Sequence, residues 1–137
     1  MEQWSSDTII KDTPLISPTS SLDELERLAH HIEAALAYSG DTHSLVQVID
    51  AIKDGSAQFF PLENSVIVTE VVDYPKKSVC RIWLAGGNMD ELVEAEKKIV
   101  PWAKSHGCSG MEIIGRKGWE RQLKDYNAAS TVLIKEI

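Results

Sequence analysis

"RIWLAGGNMDELVEAEKKI", residues 81–99, reads as a strand, a pair of glycines and the opening turns of a helix. Leu92, Val93, Ala95 and Ile99 recur at helical spacing after the glycines, whereas the residues before them suit extended chain. Amides at the head of a helix carry the positive end of its dipole and commonly hold a phosphate. Here the helix opens with two acids of its own, Asp90 and Glu91, and Asn88 stands where a cap belongs. The stretch fixes a strand-to-helix junction within an α/β fold. It leaves two readings open, a cofactor-binding loop or a structural turn of the same shape.

Upstream, "NSVIVTEVVDYPKKSVCRIWLAG" is two strands about the polar turn "DYPKKS", a predicted β-hairpin. Val66, Val68, Glu70 and Val72 are expected to share one face, and Ile67, Thr69 and Val71 the other. In the second strand Val79, Arg81 and Trp83 alternate with Cys80, Ile82 and Leu84. Apolar residues on both faces predict a central hairpin covered on both sides. "AQFFPL" is a short strand that its proline ends.

Two helices precede the strands. Ser21 followed by Glu24 predicts a capping box, and Leu22, Leu25, Leu28, Ile32 and Leu36 form one apolar stripe. A second helix is expected from about Ser44 to Lys53, with Leu45, Val48, Ile49 and Ile52 inward and Gly55 as its stop. Residues 1–20, rich in Ser, Thr and Pro, read as a flexible N-terminal arm with a short strand at "DTIIK". Residues 21–137 read as a single domain.

Downstream, a helix from about Met89 to His106 contains Pro101, which predicts a kink or restart, and "HGC" predicts a glycine C-cap. "SGMEIIG", "KGWERQLKDY" and "STVLIKEI" follow as strand, short helix and strand. The expected order is α-α-β-β-β-α-β-α-β, a mixed α/β sheet flanked by helices.

The 137 residues suffice for one core, and an apolar share of 43% is ordinary for a globular chain. A formal net charge of −7 argues against a dedicated nucleic-acid binder. No N-terminal signal pattern and no apolar run of membrane-spanning length are read. Cys80 and Cys108 are isolated in sequence and are expected to be reduced, buried thiols, a disulfide being the alternative. His30 and Glu33 share a helix face in "HHIEA", but no third ligand has a clear spacing, so no metal is expected.

The element order, with "ENSVIVTEVVDYP", "RIWLAGG", "IIGRKGWERQLKDY" and "STVLIKE", resembles the GNAT superfamily of N-acetyltransferases, and in wording a group of short GNAT-like proteins of bacteriophages and prophages. The resemblance covers roughly residues 21–137. It implies a GNAT-like mixed sheet and, in an active member, acetyl-CoA held on amides after the fourth strand. Here that places Ala85, Gly86, Gly87 and Asn88 against the pyrophosphate. The family pattern Arg/Gln-x-x-Gly-x-Gly/Ala is altered: Arg81 lies five residues before Gly86, and the glycines are adjacent.

Two residues are candidates for proton transfer. Glu70 is the candidate base, with an ion pair to Arg81 across the hairpin as its structural alternative. Tyr126 is the candidate acid, one turn later than the usual tyrosine position, which Leu123 or Gln122 occupies. These departures point to a catalytically degenerate GNAT-like domain serving as a phage virion or accessory binding protein, with no cofactor expected. The alternative is an active acetyl-CoA-dependent N-acetyltransferase of an amine. For the first reading, Trp119, Arg116 and Lys117 are the expected contact surface toward other virion or host proteins, with core packing as the alternative for Trp119. The resemblance also implies a place in the host cytoplasm during infection, or in the virion, with no membrane or nucleic-acid partner and with oligomerisation open.

Overall fold

The computed structural model describes residues 16–115 and 118–137. The strand expected at "DTIIK" lies outside the described residues. Within the expected arm, Thr19 already forms an antiparallel bridge to Phe59, its N–H donating to the Phe59 carbonyl at 2.9 Å, and Ile16 packs against the core.

Helix α1 spans Leu22–Tyr38 and buries Leu25, Leu28, Ile32, Ala35 and Leu36. Ser21 accepts from the Glu24 N–H at 3.3 Å, but the reciprocal half of the expected capping box is not made. The Glu24 carboxylate pairs with Arg27 at 2.6 Å, and the Ser21 N–H donates to Thr19 Oγ1 instead. A full capping box occurs on α2 (Leu45–Asp54), between Ser44 and Gln47, and Gly55 ends that helix in the left-handed conformation at φ 88°.

Strands β1 (Gln58–Pro61), β2 (Val66–Asp73), β3 (Ser78–Gly86) and β4 (Gly110–Ile113) form one sheet in the order β1-β2-β3-β4. The first two pairings are antiparallel and the third is parallel. Reaching a parallel neighbour requires a crossover. Helix α3 (Met89–Ser105) supplies it. It runs through Pro101 without the expected restart: Pro101 is exposed, so the carbonyl it leaves unbonded one turn earlier can face water. The helix ends in a Schellman motif, with Gly107 at φ 84°, its N–H on the Lys104 carbonyl and the Cys108 N–H on that of Ala103. Helix α4 (Gly118–Gln122) has five residues, little more than one turn.

The hairpin is covered on both sides, as its two apolar faces require. Phe59, Val66, Val68 and Leu84 meet α1 and α2 on one face. Phe60, Ile67, Cys80 and Ile82 meet α3 on the other. The expected alternation along β3 fails at one point. Val68 opposes Leu84 while Thr69 opposes Ile82, so Trp83 is an extra residue with no partner. This bulge shifts the phase, and Leu84 joins the face of α1 rather than that of Cys80 and Ile82.

The expected last strand is not formed. "STVLIKEI" forms no strand, and residues 127–137 are exposed throughout. The fold therefore has four strands among the described residues.

Phe60 is fully buried and meets the Trp102 ring edge-on at 5.4 Å. Phe60→Ala should lower the unfolding free energy by about 3–5 kcal/mol, read from urea denaturation.

Candidate functional site

The strand–glycine–helix junction is built by close chain approach. A methyl group at Gly86 would stand 2.7 Å from the His31 carbonyl oxygen of α1. At Gly87, where φ is 121°, it would stand 2.6 Å from the Asn64 carbonyl oxygen. Both glycines thus serve packing of the chain on itself, on the side where a Cβ would point.

The junction is also tied by hydrogen bonds. The Asn88 N–H donates to Ser65 Oγ at 2.8 Å, and the Asn88 side chain accepts from the Glu91 N–H at 3.0 Å. Glu91 accepts from the Asn64 N–H at 2.9 Å, so this acid holds the β1–β2 loop as well as lying at the helix head. Arg27 completes the clamp, donating to the Leu62 and Glu63 carbonyls at 2.7 and 2.6 Å. The Asn88 amide is therefore committed to Ser65. Met89 and Asp90 open α3, so their N–H groups have no intrahelical acceptor. Asp90 is exposed beside them.

Next to this junction the sheet opens. β3 and β4 are paired from Val79↔Gly110 to Ile82↔Ile113 and no further. Residues 83–86 continue β3 beyond that point, with 84–86 paired to β2 on one side and no β4 partner on the other among the described residues.

Glu70 lies just below the opening. It opposes Arg81 in the register, and Arg81 binds it at 3.1 Å and binds Glu112 of β4 at 2.6 Å. The three side chains are one-quarter to one-third exposed. Burial works against the Arg81 charge, and Glu112, then Glu70, outweigh it and hold the guanidinium above its ordinary pKa. Glu112 was not legible as a site residue, because only the parallel β3–β4 register brings it to Arg81. Its one sequence signal is its central place in "GMEII".

Tyr126 lies on the opposite face. Its hydroxyl donates to Glu96 Oε2 of α3 at 2.8 Å, and Glu96 is buried at 8% exposure. Burial first, then the Glu96 carboxylate, pushes the phenol pKa far up. Tyr126 stands beyond the end of α4; of the two residues expected at the usual tyrosine position, Leu123 is buried and Gln122 is exposed. The sheet separates Glu70 from Tyr126. Side chains from the two faces can reach one molecule only if that molecule passes through the opening between β3 and β4.

Trp119 packs against the core on the α3 side, following its core reading. Arg116 and Lys117 lie outside the described residues. Cys80 and Cys108 are free and buried. Among the described residues no cluster of metal-ligating side chains occurs, and no helix is long and apolar enough to cross a membrane.

Neither a family model nor a curated protein sequence matches the chain. Solved structures do resemble it. The "possible acetyltransferase" of Clostridium difficile 630 superposes with a TM-score of 0.55 at 11% identity, over 90% of this chain and 99% of that one. An acetyltransferase of Trypanosoma brucei gives 0.54 at 9%, over 79% and 94% of the two chains. A ribosomal-protein-alanine N-acetyltransferase of Brucella melitensis biovar Abortus 2308 gives 0.50 at 15%, over 80% and 94%. The chain thus has a GNAT-type acetyltransferase-like fold, a mixed sheet with flanking helices. At these identities the likeness establishes the fold alone.

Gly87→Ala should cost roughly 1–3 kcal/mol of stability, through its positive φ and the crowded carbonyl, read from urea unfolding. Burial pushes the Cys80 thiol up from its ordinary value of 9.0 to about 11. Between those values the thiol ionises in the unfolded chain but stays neutral in the folded one, so stability should fall as pH rises through that window. At pH 8 alkylation of Cys80 should be slow until denaturant is added, as mass spectrometry of the labelled chain would read.

Proposed function

We propose that this chain is an acetyl-CoA-dependent N-acetyltransferase acting on an amine. The observation that carries the reading is the opening of the sheet after Ile82↔Ile113, directly beside the head of α3. The free edge of residues 83–86 offers main-chain donors and acceptors to an extended ligand rich in amides, as the pantetheine arm of coenzyme A is. The amides of Gly87, Met89 and Asp90 are the donors suited to the pyrophosphate, while that of Asn88 serves Ser65. When bound, acetyl-CoA supplies the activated acetyl group.

The acceptor amine must lose a proton, and the carboxylates of Glu70 and Glu112, on one side of the opening, are the groups that can take it. Each shares Arg81, which holds them in place. On the other side Tyr126 keeps its hydroxyl proton, fixed in direction by Glu96. The acids at the helix head oppose the ligand. At an effective dielectric of 20 or more and after screening, Asp90 costs about 1 kcal/mol of binding, or roughly five-fold.

A second reading has a specific support. Arg81 occupies the Glu70 carboxylate, and the glycines of the turn are accounted for by packing, as expected of a fold retained for binding other proteins rather than for catalysis. Phage virion or host proteins are the partners that reading proposes.

Titration calorimetry with acetyl-CoA separates the two. Saturable binding in the micromolar range is expected, with Asp90→Asn binding about three- to ten-fold tighter. Absence of saturable heat at millimolar acetyl-CoA would leave only the second reading. Gly86→Glu is no clean probe here, since the His31 carbonyl already fills the space its side chain would enter.

A further inference from the structure

The C-terminal segment and the outer edge of the sheet are each incomplete. Val132, Leu133, Ile134 and Ile137 are 61, 90, 85 and 115% exposed, four large apolar side chains within six residues. Their sequence, "STVLIKEI", is rich in β-branched residues and alternates as a strand does. Edge strand β4 has β3 on one side and no second neighbour among the described residues. All four of its residues are only half-buried, and Ile114 just beyond them is 54% exposed. A shallow pocket runs along this edge on the α3 side, lined by Val100, Ala103, Lys104, Gly110 and Met111.

We propose that residues 130–137 add as a fifth strand to β4 of a second copy of this chain, and that the two copies exchange these strands reciprocally. An open edge presents unpaired N–H and C=O groups that an extended segment satisfies, and side chains at alternate positions then fill the pockets on either face.

The two surfaces match in detail. With period two, Val132, Ile134 and Glu136 share one face of the segment, and Leu133, Lys135 and Ile137 share the other. On β4, Met111 and Ile113 face α3, while Glu112 faces the side of Arg81. Placing Val132 and Ile134 over Met111 and the α3 pocket brings Glu136 to the side of Lys104. It also brings Lys135 to the side where Glu70 and Glu112 share the single charge of Arg81. Both charges of the segment then lie on the face carrying the opposite sign.

The second copy is the occupant because, among the described residues, one chain leaves both halves unsatisfied: Tyr126 is fastened to Glu96, and every residue after it stays exposed. Exchange satisfies both halves twice and closes with two-fold symmetry.

Sedimentation velocity of the full chain over a hundred-fold concentration range tests this. A species of twice the 15.2 kDa chain mass is expected. Ile134→Lys, at a side chain 85% exposed in the single chain, should raise the dimer dissociation constant at least a hundred-fold. Met111→Lys should do the same with unchanged far-ultraviolet circular dichroism. Four results would each overturn the proposal. They are a monomer at every concentration, a dimer indifferent to Ile134→Lys, a dimer lost with Ile134→Lys but kept with Met111→Lys, and a monomer whose melting temperature Ile134→Lys lowers. The last would mean that the segment docks on its own chain.

Discussion

The clamp around Gly86 and Gly87 is the constraint on which the fold rests. One chain reversal must bring β3, the β1–β2 loop, α1 and the head of α3 within hydrogen-bonding distance of each other. Only residues without a Cβ let the His31 and Asn64 carbonyls approach so closely. Ser65, Asn88, Glu91 and Arg27 then fix the loop from both sides. Glu91 illustrates why composition misleads at such a place. As a charge at a helix head it looks like an obstacle to a phosphate, yet its carboxylate is spent on the Asn64 amide.

The same reversal sets the site. Because α3 carries the chain over the sheet into a parallel fourth strand, β3 outruns β4 and the sheet opens beside the helix head. The bulge at Trp83 lies at the start of that opening and turns Leu84 toward α1 while Ile82 faces α3. Ionisable groups are segregated by the sheet: Glu70, Arg81 and Glu112 on one face, Glu96 and Tyr126 on the other. Chemistry that uses both must happen in the gap.

The electrostatics of the two faces differ in kind. Arg81 is partly solvated and serves two carboxylates from neighbouring strands, so it joins β2, β3 and β4. Glu96 is buried and has the Tyr126 hydroxyl as its partner, an arrangement that satisfies a costly buried carboxylate and anchors the chain beyond α4. Sites of acid–base chemistry and sites of structural satisfaction share this vocabulary.

Local pattern determined much of this protein. Helical spacing placed α1, α2 and α3, the two-faced apolar alternation gave a covered hairpin, and Gly55 and Gly107 marked helix ends, because each depends on neighbours a few residues apart. The Glu70–Arg81 pair was also legible, since a hairpin register follows from its turn. Tertiary structure decided the rest. The parallel β3–β4 register brought Glu112 to Arg81, and packing gave Gly86 and Gly87 their reason. Thr19 drew the Ser21 amide away from its box, and "STVLIKEI", a strand by pattern, stayed unpaired. A strand exists only when another backbone offers its hydrogen bonds. No sequence window contains that second backbone.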